Sequence, residues 1–128
     1  MIKRCVENIE KTIASSSIVL SSDLQKHFGP ALNTVYIRGQ LFIIDASILE
    51  MAIFATEALD SLYVDKYRFH YRDGTGKMLF RYDNAPHHSE VDSHPHHKHT
   101  PGKIVPSKMP SLEDLLNEIS AIIVAKGV

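Results

Sequence analysis

Tyr67-Arg68-Phe69-His70-Tyr71-Arg72-Asp73-Gly74-Thr75-Gly76-Lys77-Met78-Leu79-Phe80-Arg81-Tyr82-Asp83 is the stretch on which the fold turns. Two alternating, aromatic-rich runs flank Asp73-Gly74-Thr75-Gly76, a pattern that predicts a β-hairpin. A loop of two or four residues pairs Arg72 with Lys77, Tyr71 with Met78, Phe69 with Phe80 and Tyr67 with Tyr82. Strand side chains alternate, so one face collects Tyr67, Phe69, Tyr71, Met78, Phe80 and Tyr82. The other face collects Arg68, His70, Arg72, Lys77, Leu79, Arg81 and Asp83. A three-residue loop would mix the two sets and is not expected. The aromatic face is the expected core, and the basic face is expected to stay open or to meet a partner.

Working outward, Thr34 to Ile44 and Ser47 to Ala55 read as strands joined by a turn at Asp45-Ala46. Glu57 to Asp60 is a break before a strand from Tyr63 to Arg72, and Lys77 to Asp83 is the next strand. Ile18, Leu20, Leu24 and Phe28 alternate well enough to predict a strand over 18–28, with Ser22 capping a helical turn as the alternative. Residues 3–13 predict a short helix with Val6, Ile9 and Ile13 on one side. Near the other end, Ser111 is an N-cap, with Glu113 and Asp114 in the first turn. Leu112, Leu115, Leu116, Ile119, Ile122 and Ile123 then form an apolar stripe that ends at Gly127. Residues 84–110 hold five of the six prolines and six of the eight histidines, and read as an irregular, functional loop. The expected class is α+β: an antiparallel meander of four or five strands, an N-terminal helix and an amphipathic C-terminal helix, in one domain over 1–128.

The composition agrees, with 128 residues, 44 % hydrophobic and 23 % charged. No apolar run is long enough to span a bilayer, and Glu7, Glu10 and Lys11 interrupt any signal-like stretch. The single cysteine, Cys5, cannot form an internal disulfide, so a reducing, cytoplasmic setting is expected. The formal net charge is −1 but is unevenly spread: residues 66–108 carry eight Lys or Arg against four Asp or Glu, and seven of the eight histidines. Such asymmetry points to a polyanionic partner.

Two chemistries compete for the histidines with a plain solvated loop. One is a transition-metal site such as zinc, with His87, His88, Glu90, His94, His96, His97 and His99 as ligands. The spacing matches no familiar zinc pattern. The other is metal-independent acid–base cleavage of RNA, which needs no cofactor. It takes one group to remove the 2′-hydroxyl proton, another to protonate the leaving 5′-oxygen, and cations for the charge on phosphate. His70, with one of His87 or His88, is the expected base and acid pair. His97, with His96 and His99, either completes the site or braces the loop. Arg68, Arg81 and Lys98 are the expected phosphate contacts. Asp83 is placed to orient an imidazole or to pair with Arg68 or Arg81, and Asn84 is expected to bond its own turn backbone.

The runs Tyr67-Arg68-Phe69-His70-Tyr71, Phe80-Arg81-Tyr82-Asp83-Asn84-Ala85-Pro86-His87-His88-Ser89-Glu90 and Pro95-His96-His97-Lys98-His99 resemble the signature of the TumE-type toxins of prokaryotic toxin–antitoxin systems. The resemblance covers the second half of the chain, including the helix start at Pro110-Ser111-Leu112-Glu113, and is vague before residue 32. It departs from the family pattern at Ala46, where a turn glycine is usual. The resemblance implies a ribonuclease-like toxin held inactive by a neighbouring antitoxin. The expected partners are therefore a cognate antitoxin and RNA, with no membrane, and an exposed sheet edge would suit a homodimer. Nucleotidyl transfer would use a similar basic pocket.

Overall fold

The protein is described by a computed structural model over residues 1–86 and 93–127. In chain order its elements are α1 (Ile2–Ser15), β1 (Val19–Phe28), β2 (Thr34–Ile43), β3 (Ile48–Ala58), β4 (Ser61–Arg72), β5 (Met78–Asp83), β6 (His97–Thr100), β7 (Lys103–Pro106) and α2 (Leu112–Ala125). The strands form one antiparallel sheet in the order β1-β2-β3-β4-β5-β6-β7, so the meander is as expected. The strand count is not. Seven strands are present among the described residues, because the His- and Pro-rich segment supplies β6 and β7. Its polar composition hid them: each is only four residues long and carries few apolar side chains.

Period-two alternation divides the sheet into two faces. Val35, Ile37, Leu41 and Ile43 of β2, Leu49, Met51, Ile53 and Ala55 of β3, Tyr67, Phe69 and Tyr71 of β4, and Phe80 and Tyr82 of β5 are buried in one core. Both helices cover this face, α1 through Ile2 and Val6, α2 through Leu112, Leu115, Leu116, Ile119 and Ile123. A capping box starts α2, Ser111 accepting from the Asp114 backbone N–H while the Asp114 carboxylate accepts from that of Ser111. Fully burying a side chain such as Leu115 or Ile119 contributes about 1.5–3 kcal/mol. Helices therefore seal one side, and among the described residues the other, which carries the polar half of the alternation, has no helix over it.

The β4–β5 turn is tighter than expected. The Asp73 N–H bonds the Lys77 carbonyl at 2.9 Å and the Gly76 N–H bonds the Asp73 carbonyl at 3.0 Å, so the loop is the three residues Gly74, Thr75 and Gly76. Gly76, at φ +92°, supplies the left-handed residue this turn needs. The face-mixing that argued against such a loop is cancelled by a bulge: Arg72 pairs with Met78, but Tyr71 pairs with Phe80, leaving Leu79 as the extra residue. The register thus slides by two from expectation, Phe69 facing Tyr82, and the residues from Phe80 to Asp83 keep their assigned faces. The two residues at the bulge do not: Met78 pairs with Arg72 of the open face, and Leu79 packs against the core. The break after β3 shrinks to a two-residue turn at Leu59 and Asp60.

Two backbone positions constrain the sheet further. Ala46, at φ +71°, holds the left-handed turn conformation that glycine adopts at least cost. A Cβ at Gly39 would sit 1.9 Å from the Asp23 carbonyl oxygen of β1. Gly39→Ala is therefore expected to cost about 1–3 kcal/mol from backbone strain alone, with the clash added. The measurement is a lowered thermal midpoint.

Candidate active site on the open face of the sheet

Cross-strand registers arrange the open face in rows. Glu50 of β3, His70 of β4, Arg81 of β5 and His99 of β6 are successive partners in one row. Ala52, Arg68, Asp83 and His97 form the next. Neighbouring strands lie about 4.8 Å apart, so His70 and His99 stand about 10 Å apart at the backbone with the Arg81 side chain between them.

Asp83 organises the β5–β6 end. It is buried, and its Oδ1 accepts the Ala85 N–H at 3.0 Å while facing His97 Nε2 at 2.9 Å. Its Oδ2 lies 3.2 Å from Arg81 Nε and 3.6 Å from His99 Nε2. The His97 ring is 1 % exposed, and its Nδ1 donates to the Pro95 carbonyl at 2.8 Å, which fixes the tautomer and turns Nε2 toward Asp83. A proton on that Nε2 makes the contact a buried ion pair. Arg81 Nη2 lies 3.3 Å from His99 Nε2, so the guanidinium touches Asp83 and His99 at once. Asp83 thus both pairs with Arg81 and orients imidazoles, where the sequence left these as alternatives.

His70 differs. Its Nδ1 is buried and makes no hydrogen bond among the described residues. Burial lowers its pKa below the ordinary 6.5; Glu50 opposes the shift, and Arg68, Arg81 and Arg72 add to it. Glu50 bonds Arg72 and lies 3.7 Å from Arg68, whose side chain is 56 % exposed. The parity of β3 would have found Glu50 once its register against β4 was known.

A family model described as Toxin TumE matches residues 9–126. The chain belongs to the TumE toxin family. No curated protein and no solved structure matches it. Among the described residues of this TumE-family chain, no helix is long and apolar enough to cross a membrane.

Several expected site residues lie elsewhere. Lys98 is on the helix side of β6: its Nζ bonds Glu118 of α2 at 2.8 Å and sits 4.9 Å from the centre of the Tyr82 ring. Burial works against its charge, but the bonds to Glu118 and Tyr82 outweigh it and hold its pKa above the usual lysine value. It is not part of the basic face. His96 braces the chain, stacked on Tyr67 with ring centres 5.7 Å apart and its Nδ1 2.9 Å from the Tyr67 hydroxyl. Burial, then the charge of Asp83, push the Tyr67 pKa up to about 12, so the phenol is the donor. Asn84 does more than turn the chain, since its side chain accepts the Tyr67 N–H and donates to the Asp65 carbonyl, both at 3.0 Å, spanning to β4. His87, His88 and Glu90 lie outside the described residues.

Of the residues expected as metal ligands, the described part brings together His97 and His99, joined by Asp83, with one ligand atom from each within 4.8 Å of the others. His94 and His96 do not join them. Asp83 Oδ2 and His99 Nε2 both face the Arg81 guanidinium, which a metal would have to displace. As they stand, these three residues fit a guanidinium better than a metal.

Proposed function

We propose that this toxin is a metal-independent endoribonuclease, partnered by an antitoxin, whose acid–base pair is His70 and His99. The observation that carries this is the row His70, Arg81, His99, two imidazoles flanking a guanidinium on adjacent strands. His70 Nε2 takes the proton of an RNA 2′-hydroxyl. The 2′-oxygen bonds phosphorus, the bond to the 5′-oxygen breaks, and His99 gives that oxygen its proton, leaving a 2′,3′-cyclic phosphate and a 5′-hydroxyl. Arg81 and Arg68 hold the phosphate and stabilise its developing charge. Asp83 Oδ2 lies 3.6 Å from His99 Nε2, and burial with three guanidiniums favours the neutral form of His70. His97 serves this scheme by holding Asp83 in place.

The test is cleavage of single-stranded RNA by purified protein with a chelator present. Cyclic phosphate ends are expected. The acid limb of kcat/KM, which reports the base of the free enzyme, should fall below pH 6.5, because the His70 pKa is lowered. An acid limb above that value, or no cleavage from pH 5 to 8, would reject the scheme. Lys98→Met should leave the salt dependence of RNA binding unchanged, since its ammonium faces Glu118. It should cost about 1 kcal/mol of stability in a denaturant titration.

A zinc-type site is the second reading, favoured by the convergence of Asp83, His97 and His99. Zinc raising the melting temperature of tag-free protein, with activity lost to the chelator, would establish it instead.

A further inference from the structure

We infer that the open face also carries a nucleobase-stacking subsite, so that the substrate of the proposed ribonuclease is single-stranded RNA with a base laid on Tyr36 and Phe54. This rests on the ribonuclease reading but comes from a different part of the sheet. A third row crosses the open face, in which His27 of β1, Tyr36 of β2, Phe54 of β3 and Lys66 of β4 are successive partners. Ring centres are 6.4 Å apart from His27 to Tyr36 and 6.5 Å from Tyr36 to Phe54. Tyr36 is 37 % exposed and Phe54 38 %, so both are half open on a face that no helix among the described residues covers. An isolated exposed aromatic needs no explanation. A row of three that ends in a lysine and borders a basic groove does.

That groove has a volume of about 1040 Å³, and Tyr36, Phe54, Lys66, Arg68, Arg81 and Asn84 are among its walls. It runs from the aromatic row to the Arg81 end of the catalytic row. Its floor is Ala52, whose small side chain lies between Phe54 and Glu50 on the same face of β3 and leaves the depression open. Lys66 makes no ion pair among the described residues, and Arg68 has only the exposed, 3.7 Å contact with Glu50. Such a pair is weak, so both cations are available to an anion. Asp65 and Asp83 also line the groove, but Asp65 is bonded to Thr56 and Asp83 is engaged by Arg81 and His97. Same-face rows are about 7 Å apart, so the aromatic row lies about 13 Å from the catalytic row with the Arg68 row between. A strand crossing the rows would therefore meet a stacking surface, then phosphate cations, then the acid–base pair. Stacking platforms beside cationic tracks are how proteins hold single strands, because every base has a face to stack. Duplex RNA would keep its bases inside the helix and gain nothing from Tyr36 or Phe54.

The experiment uses full-length protein carrying His70→Ala, so that RNA is bound and not cut, and reads fluorescence anisotropy of a labelled adenylate hexanucleotide. Tyr36→Leu and Phe54→Leu should each weaken binding about 10-fold, and neither should affect an otherwise identical abasic oligonucleotide. Tyr36→Phe should bind like the parent. Ala52→Leu, which fills the floor and removes no ring, should also weaken binding. Equal losses on the abasic strand, or none on the hexanucleotide, would overturn the subsite. So would loss of antitoxin binding with RNA binding intact, which would make a protein the occupant. If the native protein cleaves RNA and the ring variants cleave normally, only the subsite fails. If the His70→Ala parent binds no RNA and the native protein cleaves none, the ribonuclease reading fails with it.

Discussion

His99→Ala should lower the rate of RNA cleavage about 10²–10⁴-fold while the protein melts near the native temperature. His99 is partly exposed on the sheet face, so its removal exposes no core. His70→Ala should cause a comparable fall and, in addition, remove the acid limb of the pH profile that the neutral imidazole of His70 is expected to set. The double variant is informative because base and acid act in one transition state: losses that combine less than multiplicatively mark two groups working together. The same ranking should appear in cells as relief of growth inhibition. Native activity in both single variants would end the acid–base scheme, whatever the protein does to RNA by binding it.

Asp83→Ala should destabilise the protein by about 3–5 kcal/mol. The carboxylate sits beside Arg81 and His97 and caps the Ala85 N–H, so its loss takes away the charge that these three groups share. Asp83→Asn keeps the shape and the Ala85 bond but not the charge, and should fall between the two. Denaturant titrations read the energies directly. If Asp83→Ala unfolds as late as native protein, the carboxylate does not organise the β5–β6 end. Activity should be lost in both variants, since Arg81 and His99 are both placed against Asp83.

Much of this fold could be read from residue alternation, and the errors have physical causes. Apart from Met78 and Leu79 at the bulge, the faces of β4 and β5 followed from the aromatic and basic sets between Tyr67 and Asp83, even though the loop was taken as even and is three residues long. Burial pattern fixes parity more strongly than turn length does, and the bulge at Leu79 reconciles the two. The strand over Val19–Phe28 was expected, but Leu20 and Phe28 are exposed; a bulge between Val19 and Ser21 takes Leu20 out of register. β6 and β7 were missed because His97-Lys98-His99-Thr100 offers no apolar alternation to detect. That one omission also misplaced Lys98: once β6 is a strand, its parity sends His97 and His99 to the open face and Lys98 to α2. Arg68, His70, Arg81 and Asp83 were legible as neighbours, while Glu50 and the aromatic row required the β2–β3–β4 registers.

Half of the proposed acid–base pair, His99, is carried by the shortest hairpin of the sheet. β6 and β7 are four residues each and stand at its margin, whereas β3 and β4 are buried in its middle and held on both flanks. Transient opening concentrates where few apolar contacts oppose it. Fraying of these outer strands would carry His99 away from Arg81 and leave the helix-backed layer standing. On the proposed scheme, opening of this hairpin would silence the toxin before the helix-backed layer melts.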